Sequence, residues 1–338
     1  MKRQIWKTEK AGKIKALRQR EEKLPKLDAR HVRIEVKSIG LNFADIFAMS
    51  NLYSATPKGP FIPGLEFSGV ISELGSDVTS LETGQRVMAM TRFGAYASSI
   101  DIEPDYCFPI TDDWSFNDAA AFPVQSLTAW YGLKNLGDLK AGKTVLIHSA
   151  AGGVGLQAMA IAKQLGATVI GTVSSEKKKE FLHEKGYDEI IVRWSNFYEQ
   201  LMSQLNGRAL DIAMDAIGGG IQKASYNALG PMGRLVTFGA AQFTPGKKRV
   251  NYLKNARQYL RRPKYDSLAM INENRSVMAF NLIWLWNEID LMKDLMQELH
   301  DLNLPKPHVG HEYLFDQMHD AIEMLRSGKS IGKVVVTI

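Results

Sequence analysis

Short apolar runs alternate with helix-like segments through the middle of the chain. The first run, 145–147, is too short for a helix and suits a buried strand. Further runs and the helices predicted between them lie, in order, at 156–165, 167–173, 176–185, 189–192, 196–205, 210–214, 220–229 and 234–238. Five strands alternating with helices predict a doubly wound parallel sheet with right-handed crossovers.

The flanking regions have a different pattern. In residues 1–122, β-like runs are separated by Gly, Pro and Asp, and the alternation over 31–36 predicts a half-buried strand. Near the other end, a helix at 317–325 precedes a strand at 332–338, which we expect to return to the first sheet.

The pattern therefore predicts an α/β chain in which a doubly wound domain is inserted into a β-rich domain. We place the first part of the β-rich domain at 1–122, the inserted domain at 123–286 and the return at 287–338. An apolar segment at 276–285 is predicted as a sixth parallel strand and as the edge of the sheet.

The first parallel strand ends in a glycine-rich turn at 150–155. Strand, glycine turn and helix form a dinucleotide site, because backbone without Cβ can approach a pyrophosphate and the helix N–H groups face its charge. We predict that Ala151, Gly152, Gly153 and Val154 contact the dinucleotide. The alternative is a turn whose glycines only allow close helix–strand packing.

The end of the second strand indicates which dinucleotide binds. NAD enzymes usually carry Asp or Glu there, to accept from the ribose 2′-OH. Here the strand ends at Val173 and two serines, a glutamate and three lysines follow at 174–179, which suits a 2′-phosphate. We predict NADPH, with Ser174 and Arg193 near the phosphate. The alternative is an ordinary solvated lysine face.

Composition is that of a soluble globular protein, with 45% apolar and 23% charged residues among 338. We find neither an apolar run of 18 residues nor the apolar core of a signal peptide. The single cysteine, Cys107, cannot form an internal disulfide, and together these features predict a cytoplasmic protein.

The net charge of +6 comes from one segment. Residues 247–264 carry eight basic and no acidic side chains, whereas the rest of the chain carries 34 basic and 36 acidic ones. The charge therefore does not indicate nucleic-acid binding.

The basic segment is predicted to form a helix over 248–262, ended by Pro263. Its apolar stripe either lies against an anionic membrane or packs beside the cleft with the cations in water. The stripe consists of Val250, Leu253, Ala256, Arg257 and Leu260.

Several motifs together resemble the medium-chain dehydrogenase/reductase superfamily, in its zinc-free quinone oxidoreductase branch. The segment 230–239 and the insert after it look most like the synaptic vesicle VAT-1 homologues. The resemblance implies a GroES-like β-rich catalytic domain with an inserted Rossmann domain. The motifs are Gly40-Leu-Asn-Phe-Ala-Asp45, Asn51-Leu-Tyr53, Pro63-Gly-Leu-Glu-Phe-Ser-Gly69, Gly84-Gln-Arg-Val87, Ala150-Ala-Gly-Gly-Val-Gly155 and Gly332-Lys-Val334.

Zinc members of this superfamily carry cysteine where this chain has Asn42 and histidine where it has Leu65. An amide and an aliphatic side chain do not replace a thiolate and an imidazole, and Glu66 alone does not make a zinc site. The four-cysteine structural loop is also missing, because the chain has one cysteine. We therefore predict no metal.

The resemblance also implies site residues. It points to Lys178 as the lysine of the 2′-phosphate, and to Asn42, Thr128, Phe238 and Gly239 near the nicotinamide. Because asparagine is a common turn residue, Asn42 has a purely structural alternative.

Tyr53 stands where related enoyl-thioester reductases have a tyrosine that donates a proton. It can equally pack over the cleft, and Met49 and Asn51 depart from the arginine and glycine of the family pattern. Gln125 is predicted near the same substrate.

Two further polar residues are predicted to be structural. His148 is expected as a hydrogen-bonded core histidine and Asp45 as the cap of a helix at 46–49. Asp211 and Asp215 alternate on the fourth strand and could both reach the carboxyl edge of the sheet.

Two functions follow from these features. The first is an NADPH-dependent, zinc-independent reductase of quinones or α,β-unsaturated carbonyl compounds, acting as a homodimer paired through the 276–285 edge. The second is a lipid-binding or lipid-transfer protein at membrane surfaces, in which the nucleotide has a structural role.

Overall fold

The β-rich pattern of the first part of the chain appears as short, mostly antiparallel strands. The computed structural model describes residues 2–243 and 252–338. The elements of this part are β1 Lys2–Thr8, β2 Leu17–Lys23, β3 Val32–Gly40, α1 Phe43–Met49, β4 Glu66–Leu74, β5 Arg86–Met90, β6 Ser99–Ile102, β7 Cys107–Pro109 and α2 Phe116–Ala120.

Helices and parallel strands alternate in the middle of the chain, as the sequence predicts. The elements are α3 Pro123–Trp130, β8 Thr144–His148, α4 Gly153–Gln164, β9 Thr168–Val173, α5 Glu176–Glu184, β10 Ile190–Val192, α6 Phe197–Leu205, β11 Leu210–Asp215, α7 Gly219–Ala228, β12 Leu229–Thr237, α8 Tyr252–Leu260, α9 Ser267–Glu273 and β13 Ser276–Ala279. The strand order β10-β9-β8-β11-β12-β13 is that of a Rossmann sheet.

Strand residues of the parallel sheet are buried on both faces. In β8, Val145 and Ile147 pack into one apolar core and Leu146 into another. Helices α3, α4 and α5 contribute to the first core, and α6 and α7 to the second. This double cover explains why the strands are continuous apolar runs.

The end of the chain adds α10 Ile289–Asp301, β14 Val309–Leu314, α11 Met318–Arg326 and β15 Lys333–Thr337. Strand β15 pairs antiparallel with β3, which gives a seven-stranded sheet containing β14, β15 and β3 to β7. Thus the last strand does join the first sheet. Helix α10, by contrast, packs into a core of the parallel sheet although it lies beyond residue 286, so the domain limits stay predictions.

Several predicted elements have different bounds in the structure, and two of them lie next to the cavity described below. The predicted strand 276–285 ends at Ala279, and a 3₁₀ turn, Leu282–Leu285, takes its second half, because the apolar run continues after the sheet edge has ended. Helix α1 begins at Phe43 rather than residue 46, so Asp45 lies in its first turn, where its carboxylate accepts from the Asn42 amide at 2.8 Å.

The predicted basic helix is present as α8 within residues 252–260, and the remainder of it before Tyr252 lies outside the described residues. No helix in the two described ranges is long and apolar enough to cross a bilayer.

Candidate active site

A cavity of about 530 Å³ lies at the carboxyl ends of the parallel strands. All six strands supply a residue at or just after their ends, which is where open α/β sheets bind ligands. Every residue predicted for the site lines this one cavity: Asn42, Tyr53, Gln125, Thr128, Ala151, Gly152, Gly153, Val154, Ser174, Lys178, Arg193, Phe238 and Gly239. Their individual roles remain predictions.

The glycine turn joins β8 to α4 at the edge of the cavity. A Cβ on Gly153 would lie 1.7 Å from Oε1 of Gln125, and one on Gly155 would lie 2.3 Å from the Ser149 carbonyl oxygen. Close packing therefore requires glycine at both positions, as the packing alternative foresaw. The same bare backbone lines the cavity at the start of α4, where helix N–H groups have no intrahelical partner.

Two cations lie together at the nucleotide end of the cavity. Lys178 donates to the Gly328 carbonyl at 2.7 Å, and Nη1 of Arg193 donates to the Thr172 hydroxyl at 2.6 Å. Burial and the nearby Arg193 lower the pKa of Lys178. Burial lowers the pKa of Arg193 to about 10, against the attraction of Asp215. The pair is suited to a phosphate. A bound dianion would offset the repulsion between the two cations and replace the water that burial has removed from them.

His148 is a core histidine, as expected. Its Nδ1 is hydrogen-bonded to the Thr172 hydroxyl and its Nε2 to the Ser225 hydroxyl, each at 2.8 Å. Burial lowers the pKa of His148 to about 3, so the ring is neutral. Through Thr172 the ring supports the position of Arg193.

Asn42 is held by a buried ion pair. Its Nδ2 donates to Oε1 of Glu66 at 2.9 Å and to the Gly40 carbonyl at 3.2 Å, and its Oδ1 accepts from Nζ of Lys333 at 3.0 Å. Lys333 also pairs with Glu66 at 2.5 Å, and Glu66 accepts from the Val124 amide. The Lys333 ammonium therefore neutralises the Glu66 carboxylate and also holds the Asn42 side-chain oxygen.

Below Asn42, Asp45 is fully buried. Its Oδ2 accepts from the Asn42 amide and from the Tyr96 hydroxyl at 3.0 Å, whereas its Oδ1 has no hydrogen-bond partner among the described residues. Burial raises the pKa of Asp45 to about 7.

Tyr53 faces a partner that sequence analysis missed. Its hydroxyl donates to Oδ1 of Asn281 at 2.7 Å. Burial raises the pKa of Tyr53 to about 12. The phenol therefore keeps its proton at neutral pH and can serve as a donor.

The remaining predicted residues differ in whether their polar groups already form hydrogen bonds within the protein. The Thr128 hydroxyl donates to the Val124 carbonyl at 2.6 Å, within its own helix. Gln125 is buried beside Gly153, and its Nε2 has no hydrogen-bond partner within residues 2–243 and 252–338. Phe238 and Gly239 follow β12 and present backbone to the cavity.

The two aspartates of β11 separate. Asp211 bonds to Nζ of Lys143 and to the Thr144 amide at the amino end of the sheet, so the expectation that both reach the carboxyl edge is wrong. Asp215 does reach that edge, where it accepts from the Ile217 and Gly218 amides.

Two functional candidates were not singled out from the sequence. Lys333 belongs to the quoted motif Gly332-Lys-Val334, so a signal existed. Asn281 carries no local signal, because its contact with Tyr53 spans 228 residues. No group of three or more His, Cys, Asp and Glu side chains that could hold a metal occurs in the parts of the chain that the structure describes.

Comparison with known proteins agrees with this architecture. The family described as "Alcohol dehydrogenase GroES-like domain" matches residues 28–112, and the family "Zinc-binding dehydrogenase" matches residues 153–281. These two matches cover the β-rich part of the chain and the parallel sheet.

Among individual relatives, the synaptic vesicle membrane protein VAT-1 homolog of Danio rerio is 34% identical over 93% of this chain. The Homo sapiens VAT-1 homolog is 33% identical over 90% of it. The chain spans 65% and 78% of the lengths of these two proteins.

Solved structures share the whole fold. Quinone oxidoreductase of Escherichia coli, complexed with NADPH, has a TM-score of 0.85 at 26% identity, with 100% of both chains covered. The CurK enoyl reductase has a TM-score of 0.83 at 25% identity, with 99% of both covered. The chain therefore belongs to the medium-chain dehydrogenase/reductase superfamily, close to the VAT-1 homologues in sequence and to quinone oxidoreductases in structure.

Proposed function

We propose that this protein is an NADPH-dependent, zinc-independent reductase that passes hydride to a quinone or an α,β-unsaturated carbonyl compound. One observation carries the proposal: a single cavity joins a glycine turn and the cations of Lys178 and Arg193 to a chamber that contains Tyr53. The similarity to a quinone oxidoreductase complexed with NADPH and to an enoyl reductase supports it.

The nucleotide end would hold NADPH through Lys178, Arg193 and Ser174 at the 2′-phosphate and through residues 151–154 at the pyrophosphate. Thr128, Phe238 and Gly239 would lie along the nicotinamide. When bound, NADPH supplies a hydride. The protein contributes orientation and the exclusion of water.

The substrate end is mostly apolar, with Leu41, Phe47, Phe280 and Trp286 in its lining. Such a lining suits the ring of a quinone or the chain of an enone. With an enone, hydride from bound NADPH would go to the β-carbon, and the electron pair of the double bond would move towards the carbonyl oxygen to give an enolate. Tyr53 would then give its phenolic proton to the α-carbon, and solvent water would return a proton to Tyr53.

NADPH oxidation measured with a panel of quinones and enones tests this function. We expect turnover that depends on the acceptor and persists after treatment with a chelator. Absence of turnover with every acceptor, in protein shown by calorimetry to bind NADPH, would contradict the proposal.

A second candidate, lipid binding at an anionic membrane with the nucleotide in a structural role, is favoured by α8. Leu253 and Leu260 are 86% and 74% exposed, and Ala256 between them is exposed as well. These side chains do not pack beside the cleft, contrary to the packing alternative, and Arg257, Arg261 and Arg262 lie nearby in the chain.

Liposome co-sedimentation tests the membrane candidate. Binding to phosphatidylserine vesicles should fall with added salt and in a Leu253→Ser, Leu260→Ser variant. It should also fall when Lys247, Lys248 and Arg249, which lie outside the described residues, are replaced by Ser. Sedimentation that does not depend on lipid charge would rule out binding to an anionic membrane.

We also propose a cytoplasmic homodimer without a nucleic-acid partner. Cys107 is buried, and burial raises its pKa to about 12, which suits a protein that needs no disulfide. Strand β13 lies at the edge of the parallel sheet and is the proposed dimer contact.

A further inference from the structure

We propose that Asn281 binds the carbonyl oxygen of the reducible substrate through its side-chain Nδ2. The inference rests on the proposed reductase function and adds a residue that recognises the acceptor. It starts from how the Asn281 amide is placed and from which polar groups of the cavity are already occupied.

Asn281 holds an unusual position for its residue type. It follows β13 and precedes the 3₁₀ turn Leu282–Leu285, and its backbone carbonyl accepts from the Trp284 amide at 3.0 Å. An asparagine at such a cap position usually turns its side chain back to the free N–H groups. Here the side chain makes no cap bond and instead reaches Tyr53, which lines the same cavity.

The oxygen and the nitrogen of the Asn281 side-chain amide differ in their hydrogen bonds. Oδ1 accepts from the Tyr53 hydroxyl at 2.7 Å, whereas Nδ2 has no partner in the described parts of the chain. A side-chain amide offers two N–H donors, and Asn281 lines the cavity. A carbonyl oxygen in the cavity would satisfy a donor that is otherwise left unused.

Most other polar side chains considered for the cavity already use their donors in hydrogen bonds within the protein. Both donors of Asn42 go to Gly40 and Glu66, and the Thr128 hydroxyl donates within its helix. Gln125 has a free Nε2, but it packs against Gly153 in the glycine turn, where the pyrophosphate is proposed to bind.

The chemistry of the acceptor fits this donor. When hydride reaches a conjugated carbonyl compound, negative charge collects on the carbonyl oxygen, and an N–H group held in place stabilises that charge. The hydrogen bond that Tyr53 donates to Oδ1 polarises the amide and strengthens its N–H donors. Tyr53 and Asn281 would thus act as one unit on the same substrate.

Equilibrium binding tests the contact without turnover. Acetophenone, an aryl ketone, and ethylbenzene, a hydrocarbon of similar shape, are titrated calorimetrically into protein saturated with NADP⁺. Wild-type protein should prefer the ketone. Asn281→Ala should weaken ketone binding by about fivefold and leave ethylbenzene unchanged, as expected for one neutral hydrogen bond. Asn281→Asp keeps the shape but offers only acceptors, and it should weaken ketone binding further.

Asn117→Ala is the matched control. Asn117 is also half-buried and makes one side-chain bond, from the Thr337 hydroxyl at 3.3 Å, but it does not line the cavity. It should leave both titrations unchanged. An equal preference for the ketone in wild type and both Asn281 variants would overturn the inference, and so would a wild type without any preference.

Turnover separates this inference from the proposed function. In Asn281→Ala, kcat for an enone should fall roughly a hundredfold, as for loss of one oxyanion donor, with NADPH affinity unchanged. If wild type oxidises NADPH normally and the variant matches it, Asn281 does not bind the carbonyl and the reductase stands. If wild type never oxidises NADPH, the reductase proposal fails, and the ketone titration still decides on Asn281.

Discussion

The cavity contains two kinds of charged side chain, one neutralised by an ion pair and one not. The difference indicates which of them can bind an anion. Lys333 is neutralised by Glu66, with both side chains almost fully buried, so this pair fixes Asn42 and offers no net charge to a ligand. Lys178 and Arg193 have no ion-paired carboxylate in the described ranges and are held near each other. Two half-buried cations that repel each other are costly, with only the attraction of Asp215 on Arg193 to offset the repulsion, and such an arrangement is typical of a site for an anion.

Replacing Lys178 by Ala should weaken NADPH binding by about 1.5–3 kcal/mol, the usual contribution of a hydrogen bond to a charged group. Affinity for NADH, which lacks the 2′-phosphate, should change little. Calorimetric titration of both nucleotides measures the difference. Lys179→Ala is the control, because the neighbouring Lys179 lines a separate surface groove. Equal affinities for the two nucleotides in wild type and Lys178→Ala would refute the NADPH assignment.

Asp45 should make stability depend on pH. Its pKa rises from 3.8 to about 7 on burial, so between these values the folded protein holds a proton that the unfolded chain has lost. The free energy of unfolding should therefore fall as pH rises from about 4 to about 7, by at most about 1.4 kcal/mol per pH unit. Urea unfolding of wild type and Asp45→Asn across this range measures the slope, which the variant should lack. Parallel pH profiles would show that Asp45 is ionised in the folded protein.

Sequence reasoning found the residues that motifs carry and missed those that only the fold brings together. The glycine turn, Lys178, Tyr53 and Asn42 are recognisable in local motifs, and all four line the cavity. Asn281 follows an apolar run with nothing beside it to suggest a site, and only the docking of β13 against the β-rich part places it at Tyr53.

At the scale of elements, the apolar pattern of the sequence predicts which segments are strands and helices better than it predicts where those elements begin and end. The parallel strands are recognisable because both faces are covered, which demands continuous apolar runs. The same apolar pattern predicts β13 to be longer than it is. Leu282 and Ile283 follow the strand and are apolar because they pack against the core, although they are not part of the sheet. Helix α1 starts earlier than predicted, because its N-cap is Asn42 and Asp45 lies in its first turn.

The contact between α3 and α4 gives an element-scale prediction. Gly153→Ala places a methyl group against Oε1 of Gln125 and should destabilise the protein by about 1–3 kcal/mol, the usual cost of overpacking. Adding Gln125→Ala should restore most of that stability, because the obstructing amide is removed. Urea unfolding of both single variants and the double variant measures this. Additive losses in the double variant would show that Gln125 is not the obstacle.

At the scale of the whole molecule, the two large sheets both contribute residues to the cavity of the candidate site. Backbone joins them directly, since the Gly332 amide at the start of β15 donates to the Ala151 carbonyl at 2.8 Å. Side chains add the Lys178 bond to Gly328 and the Tyr53 bond to Asn281. The site therefore exists only when the inserted sheet and the β-rich sheet are docked.

The edge strand β13 gives a prediction about assembly. Light scattering should return the mass of a dimer, because an unprotected strand edge favours pairing with a second copy. Ala279→Lys adds a charge at an exposed position of β13 and should shift the mass towards the monomer. Trp194→Lys, beside β10 at the other edge, is the control and should remain dimeric. A monomer in wild type at micromolar concentrations would rule out the dimer.

The hydrogen bond from Gly332 to Ala151 also bears on how fast a nucleotide can enter. Because it joins β15 to the glycine turn itself, any hinge motion that widens the cavity must first break it, together with the bond from Lys178 to Gly328. Entry would then wait on an opening step of the free protein. In stopped-flow mixing, the observed association rate would rise with nucleotide concentration only until it met that opening rate, and there it would level off.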